Sequence, residues 1–497
     1  MNSRLLSANT GCFCAAALLL LAGWTAASPA ASGGDPPNVV LILTDNHAAW
    51  TLGCYGNPDV RTPNIDQLAR DGMLFTRAFA VNAVCSPTRA TLLTGLIPSQ
   101  HGVHCYLRAR GLQVGPEAYY TLLEFRTLPE ILNESGYACG MTGKWHLGDN
   151  LHPQDGFRYW ITMPHGATGT FYDAEVIEDG EIRKEPKYLT DLWTEHAERF
   201  IRQNKDRRFF LYLPYNGPYG LGGSLLKPAR NRHAAYYADK QLDSFPREPM
   251  HPWLHSNRQY LNNIEAIRRY AAEISGVDDG VGRIMATLRE LRLEENTLVI
   301  FTGDQGLACG QNGIWGMGDH TRPLHTFDPG VRIPLIYRHT GKIPAGSRCE
   351  LLNSNYDVLP SVLGYLGLKE KMGTEPESPG RDYSAALQGG QVEWDDIVFY
   401  EFENTRMIRT ADWKYTRRIP EGPDELYDLA RDPGERRNLA GVPEYAEKEA
   451  DLRGRLEAFF DRYADPKFDL WRGGGSKSRQ LLNPQIPPWR PEQPRGS

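Results

Sequence analysis

At 497 residues, with 41% apolar and 23% charged side chains, the chain is ordinary globular protein, long enough for two or three units of roughly 150 residues or one large α/β domain plus a smaller one. A formal net charge of -6 excludes bulk electrostatic attraction to nucleic acid, so an anionic partner would have to be met by a local basic pocket.

In chain order, Arg4 precedes an apolar stretch from Phe13 to Trp24, and small residues follow through Ser32. This is the pattern of a secretory signal peptide over residues 1–32. It predicts export to the periplasm or the medium, and a mature chain without a membrane span. Six cysteines follow (Cys54, Cys85, Cys105, Cys139, Cys309 and Cys349), and their spacing assigns no disulfide pairs.

Val39-Val40-Leu41-Ile42-Leu43 is the first of three unbroken apolar runs and leads into Thr44-Asp45-Asn46. Thr62-Pro63 reads as a helix start with a hydroxyl N-cap; Ile65, Leu68 and Ala69 share a face, and Gly72 closes the helix. The second run, Phe209 to Leu213, ends in Pro214-Tyr215-Asn216. A long helical pattern from Ile267 to Leu291 precedes the third run, Leu298 to Phe301, which ends in Thr302-Gly303-Asp304-Gln305-Gly306. Continuous apolar runs are expected of strands covered on both faces. Alternating with helices, they predict an α/β fold with a doubly wound, mostly parallel sheet over residues 36–368, its ligands gathering beyond the carboxyl ends of the strands. Residues 369–396 read as a Gly- and Pro-rich linker. Short β-like pieces and a helix from Tyr445 to Tyr463 then predict a smaller C-terminal α+β subdomain over 390–465, followed by an irregular tail over 466–497.

Asp45 and Asp304 each end a predicted central strand and are each followed by an amide, Asn46 and Gln305. Such a set can ligate a hard divalent cation, or each Asp can cap the turn that follows it. Cys85, close to Arg89, could be a low-pKa nucleophile or a buried thiol. The residues alone leave these choices open.

Cys85-Ser86-Pro87-Thr88-Arg89-Ala90-Thr91-Leu92-Leu93-Thr94-Gly95 resembles the sulfatase signature, in which a Cys or Ser is converted to formylglycine (3-oxoalanine). Gly136 to Gly148, containing Gly143-Lys144-Trp145-His146, resembles the second sulfatase signature. Similarity in the family's order runs from about residue 36 to 460, through Gly330-Val331-Arg332-Ile333-Pro334 and Glu425-Leu426-Tyr427-Asp428-Leu429. The resemblance implies an alkaline-phosphatase-like fold, maturation by a formylglycine-generating enzyme, and hydrolysis of sulfate esters. A sulfated saccharide is the expected substrate. Aryl or choline sulfates, phosphonate or phosphate monoesters, and a catalytically silent sulfated-glycan binder are the alternatives. It further implies that Asp45, Asn46, Cys85 in its modified form, Asp304 and Gln305 hold one Ca²⁺. The hydrated aldehyde at position 85 would attack sulfur, Arg89 and Lys144 would stabilise the sulfuryl oxygens, and His146 would handle the proton of the second hydroxyl.

The chain departs from the family at two places. Where sulfatases carry Asn-x-Pro-His, it reads Asn216-Gly217-Pro218-Tyr219, so leaving-group protonation falls to Tyr219 or to a histidine of the following insertion (His233, His251 or His255). No lysine occurs between Gln305 and Gly341, where the family usually has one, so the sulfate-gripping cation is expected from His320, Arg322 or His325, with His320 favoured and Arg322 next. His101, His104, Arg108 and Arg110 are candidates for the outer rim of the pocket. The aromatic and basic insertion from Leu221 to Leu261, with Tyr236, Tyr237, Phe245, Trp253 and Tyr260, is a candidate sugar-stacking surface.

Overall fold

The computed structural model describes residues 36–482 apart from 109, 228 and 421. The expected signal peptide and the last fifteen residues of the expected tail lie outside the described residues.

The three apolar runs form Asn38–Asp45, Phe209–Pro218 and Thr297–Gly303, buried at every position. The first pairs in parallel with both of the others, so the three are neighbours in the middle of a ten-stranded sheet. Ala138–Gly143 and Tyr159–Thr162 extend the parallel part on one side and antiparallel strands finish that flank; on the other, Leu335–Arg338 runs antiparallel to both its neighbours before a parallel edge pair. Side chains alternate between two cores. Val40 and Ile42 pack with Ile274, Val277 and Val281 of the helix Ile264–Glu290. Val39, Leu41 and Leu43 pack with Leu92 and Leu93 of the helix Cys85–Thr94 and with Val362 of Val358–Leu366. With both faces covered, alternating polarity is absent from these strands, which is why their sequences read as unbroken apolar runs.

Helix starts follow local chemistry, with one difference from expectation. Asn263 caps the long helix, its side-chain oxygen accepting from the backbone N–H of Glu265 at 3.0 Å and Ala266 at 3.3 Å. Thr62 precedes the helix Pro63–Arg70 but does not cap it. Its hydroxyl accepts from Gly53 N–H at 2.9 Å and donates to Asp66 at 3.0 Å, holding the loop that follows the first strand.

The C-terminal part forms a four-stranded antiparallel sheet (Ile397–Phe402, Thr405–Thr410, Trp413–Arg418 and Glu425–Asp428) with the helix Ala446–Tyr463 packed on it through Leu452, Leu456 and Phe460. Buried charges fasten this sheet to the rest. Lys414 Nζ lies 2.5 Å from both Asp328 Oδ1 and Glu435 Oε1 and donates to the carbonyl of Thr326 at 2.9 Å. Arg409 adds a contact to Asp328 at 3.0 Å. Beyond the helix the chain returns to the segment after Cys85–Thr94. Asp465 N–H donates to Ser99 O at 2.9 Å, Lys477 N–H to Gly102 O at 2.7 Å, and His104 Nε2 lies 2.8 Å from Phe468 O. Among the described residues no helix is long and apolar enough to cross a membrane, and all six described cysteines are free.

Candidate active site

Asp45 is the last residue of the central strand, and Asn46 turns the chain sharply with φ 58°. Asp304 follows the neighbouring strand, its N–H donating to Thr44 O at 2.9 Å, so parallel pairing itself sets the two carboxylates side by side. Asp304 Oδ1 accepts from the backbone N–H of Asn46 at 3.0 Å and of Gln305 at 2.9 Å. Cys85, the first residue of a helix buried at all ten positions, aims Sγ at Asp45 Oδ1 over 3.3 Å and at Gln305 Nε2 over 3.3 Å. Gln305 Nε2 also contacts Asn46 Oδ1, and Gln305 Oε1 accepts from the Thr88 hydroxyl at 3.2 Å.

Two cations converge on this pair. Arg89, one turn after Cys85 and fully buried, holds Asp304 Oδ2 through Nε at 3.1 Å and Nη2 at 2.9 Å, and donates through Nη1 to Lys144 O at 2.6 Å. Lys144 Nζ lies 2.5 Å from Asp45 Oδ2. Burial, then the neighbouring Asp45 charge, push the Asp304 carboxyl above the usual carboxylate range. Burial and the Asp45 charge likewise push the Cys85 thiol up, so as a plain cysteine it is a protonated, unreactive group.

The group fits a cation. A carboxylate oxygen of Asp45, Sγ of Cys85 and a carboxylate oxygen of Asp304 all lie within 4.8 Å of one another and are buried. The side-chain amides of Asn46 and Gln305 adjoin them, and a half-turn of the Gln305 amide would present Oε1 instead of Nε2.

Of this cluster, Cys85 lines a pocket of about 330 Å³, together with His146, Tyr219 and His320. His146 sits at φ 63°, its Nε2 3.1 Å from Leu107 O and its Nδ1 buried without a partner. Burial, then the Lys144 and Arg89 charges, hold this imidazole well below the usual histidine range. A neutral ring donating from Nε2–H to Leu107 therefore keeps its free lone pair on Nδ1. Tyr219 follows Gly217-Pro218, its N–H donating to Asp45 O at 2.9 Å and its carbonyl accepting from Asn46 Nδ2 at 2.9 Å. Its ring centroid is 5.5 Å from Lys144 Nζ. Burial and Asp45 push its phenol pKa well up.

Other expectations need correction. Arg322 is exposed and does not line the pocket, because its guanidinium donates to the carbonyls of Asp319 and Thr321 at 2.7 Å. His325 is a core residue, 3.1 Å from Met317 O and stacked on Phe327. Of the insertion histidines, His233 pairs with Asp279 at 2.7 Å, His251 Nδ1 accepts from Trp253 N–H, and His255 is exposed; none lines the pocket. The insertion aromatics Tyr237, Phe245 and Tyr260 are buried core, and the insertion reaches the pocket through Leu221, Gly222 and Asn257 instead. His101 and His104 are buried, and Arg110 pairs with Glu175 at 2.7 Å. Arg108 alone of the four rim candidates lines the pocket. Sequence reading missed Tyr106, His165, Asn257 and Asp319, all on loops; the Gly166 beside His165 was the one available signal of a close approach.

Residues 37–368 match the family described as Sulfatase, and residues 316–462 match the family described as N-sulphoglucosamine sulphohydrolase, C-terminal. The chain belongs to the sulfatase family. Among relatives, N-acetylgalactosamine-6-sulfatase of Sus scrofa is 30% identical over 461 residues, covering 86% of this sulfatase and 80% of the relative. N-acetylglucosamine-6-O-sulfatase of Bacteroides thetaiotaomicron is 24% identical over 513 residues, covering 86% and 87%. A solved structure, described as a complex with its substrate D-glucosamine-2-N,6-O-disulfate, shares the fold at a TM-score of 0.68 with 24% identity, covering 86% of this chain and 98% of that one. Membership makes the sulfatase a sulfuric ester hydrolase and calls for a formylglycine residue and a metal ion.

Proposed function

We propose that this sulfatase removes sulfate from a sulfated saccharide, using residue 85 as formylglycine and one Ca²⁺ held by Asp45, Asn46, Asp304, Gln305 and the modified residue 85. The observation that carries the reading is the position of Cys85: buried at a pocket floor, with Sγ 3.3 Å from Asp45 and flanked by Arg89 and Lys144. Its thiol stands where the aldehyde and its hydrate would stand. Once residue 85 is oxidised and the cation bound, the pair supplies a hydroxyl nucleophile of lowered pKa at the pocket floor.

The chain's own groups do the rest. Lys144 and Arg89 are fixed, dry cations held on Asp45 and Asp304 beside Cys85; stabilising the developing sulfuryl charge from there would be worth roughly 10²–10³ in rate per donor. Nδ1 of His146 accepts the proton released at residue 85. Tyr219, fully protonated at neutral pH, donates a hydrogen bond to the departing oxygen. His320, rather than Arg322, supplies the imidazole facing the sulfate. The pocket lies at the small end of the roughly 300–1,000 Å³ usual for ligand sites, the scale of one sulfated sugar residue. The saccharide class is supported by the names of the relatives, N-acetylgalactosamine-6-sulfatase and N-acetylglucosamine-6-O-sulfatase. The apolar segment from Phe13 to Trp24 supports export, and maturation would require a formylglycine-generating enzyme.

Intact mass of the peptide spanning Cys85, measured together with release of sulfate from 4-nitrophenyl sulfate and a panel of sulfated sugars, tests the reading. Unmodified cysteine in an active preparation would sink the mechanism. A modified residue with no turnover on any sulfate would make the protein a binder of sulfated glycans.

A further inference from the structure

Two buried polar atoms in the pocket are used neither by the reaction nor by the fold. Asp319 lies in the short turn Gly318–His320, and its side chain is 10% exposed. Its Oδ1 is 2.7 Å from His320 Nδ1, yet that nitrogen already accepts the backbone N–H of Met317 at 3.1 Å. With its lone pair so occupied, Nδ1 has no proton to give, and Oδ1 is left without a donor among the described residues. Asn257, in the left-handed region at φ 62°, also lines the pocket, and its Nδ2 is buried without an acceptor. The two residues stand on adjoining segments, because the N–H groups of His255 and Ser256 donate to His320 O at 2.8 and 3.3 Å.

A buried acceptor or donor left unmatched costs about 1–3 kcal/mol, and more when charged. A carboxylate is also an unexpected lining for a pocket that takes a sulfate anion. The Asp319 charge reaches the pocket walls, raising the phenol pKa of Tyr106 and Tyr219. A carboxylate oxygen and an amide N–H on adjoining segments present an acceptor and a donor to the same pocket. That arrangement matches neighbouring hydroxyls of a sugar ring, each of which gives one hydrogen bond and takes another.

We propose that Asp319 and Asn257 read the ring hydroxyls of the sugar that carries the sulfate ester, and so make this sulfatase selective for saccharide over aryl esters. The proposal rests on the sulfatase reading and deepens it. The apolar side chains of Leu221 and Met317, in the same lining, would cover the ring's carbon face.

The test compares kcat/KM for galactose 6-sulfate, glucosamine 6-sulfate and 4-nitrophenyl sulfate in the parent, in Asp319→Asn and in Asn257→Gly, which keeps the left-handed backbone. The sugar-to-aryl preference should fall 10- to 100-fold in each variant, mainly through KM for the sugar. A larger fall on glucosamine 6-sulfate would place the ammonium against Asp319; an equal fall on both sugars would place a hydroxyl there. An unchanged preference, or a parent that cleaves 4-nitrophenyl sulfate and neither sugar, overturns the proposal. Loss of all turnover in the parent would instead be failure of the sulfatase reading. Thermal shift by galactose 6-sulfate on Cys85→Ala protein gives an independent binding readout. A shift retained in the Asp319→Asn background overturns the proposal even then, and a lost shift supports it.

Discussion

Gly166→Ala is the most economical probe of His146. Gly166 has no left-handed φ, so its backbone accepts alanine, and the effect of the substitution comes from the added methyl alone. That Cβ would stand 2.0 Å from His146 Nε2 and 2.1 Å from Cδ2 and Cε1, against an ordinary contact of 3.4 Å or more. The imidazole would have to retreat by about 1.4 Å, which breaks its 3.1 Å contact with Leu107 O and releases the ring from the orientation that leaves Nδ1 free. Strain of about 1–3 kcal/mol and a lost hydrogen bond of about 1 kcal/mol should lower the thermal midpoint by a few degrees. Displacement of a reacting group by ~1 Å costs roughly 10²-fold, so kcat on 4-nitrophenyl sulfate should fall about a hundredfold with little change in KM. Because the effect runs through His146, the double variant Gly166→Ala/His146→Ala should be no slower than His146→Ala alone. A kcat for Gly166→Ala within threefold of the parent, or fully multiplicative losses in the double variant, would refute the reasoning.

Three further outcomes are expected. Burial pushes the Glu273 carboxyl, against the Tyr188 hydroxyl, up to about 8. The folded chain thus keeps a proton that the unfolded chain loses above about pH 4.5, and this group's contribution to stability falls as pH rises from there to about 8. Glu273→Gln should therefore gain on the order of 1–3 kcal/mol over the parent at pH 8.5 and little at pH 4, read by urea unfolding; a gain independent of pH would count against burial as the cause. Chelation should lower the unfolding midpoint of the parent but not of Asp304→Asn, since a ligand present at 100 times its Kd stabilises by about 2.7 kcal/mol; equal shifts in both would remove Asp304 from the ligand set. Lys414→Met leaves the Asp328 and Glu435 carboxylates buried beside each other and should destabilise by roughly 3–5 kcal/mol, with turnover lost alongside; an unchanged urea midpoint would show that the Lys414 contacts do not hold the C-terminal sheet.

The frame of the site was legible wherever burial wrote a pattern. Val39 to Leu43, Phe209 to Leu213 and Leu298 to Phe301 are covered on both faces, so their sequences announce central strands, and Asp45 and Asp304, just beyond two of them, lie beside Cys85. The walls were not legible, because they come from loops without periodicity. His165, Asn257 and Asp319 are positioned by backbone turns and by contacts far along the chain, which leave no local signature. The insertion misled for a related reason. Its aromatics resemble a sugar platform, but the Tyr237 hydroxyl accepts from the Arg61 backbone N–H and exchanges a hydrogen bond with Ser275, so they serve as packing for the long helix. Arg322 misled because charge says nothing of direction: its guanidinium turns back on its own loop.

The fastening of the loop around Asp328 by Lys414 and Glu435 also sets a clock on synthesis. The pocket wall from Gly318 to Asp328 gains its buried anchor only when residue 435 is available, about 350 residues after Cys85 has emerged. At roughly 5–20 residues per second, a nascent chain would leave Cys85 outside its finished pocket for about 20–70 seconds. Any catalyst that must oxidise this thiol has that interval to work on an open peptide. Afterwards the sulfur, at the start of a helix buried at every position, is reached only through the pocket.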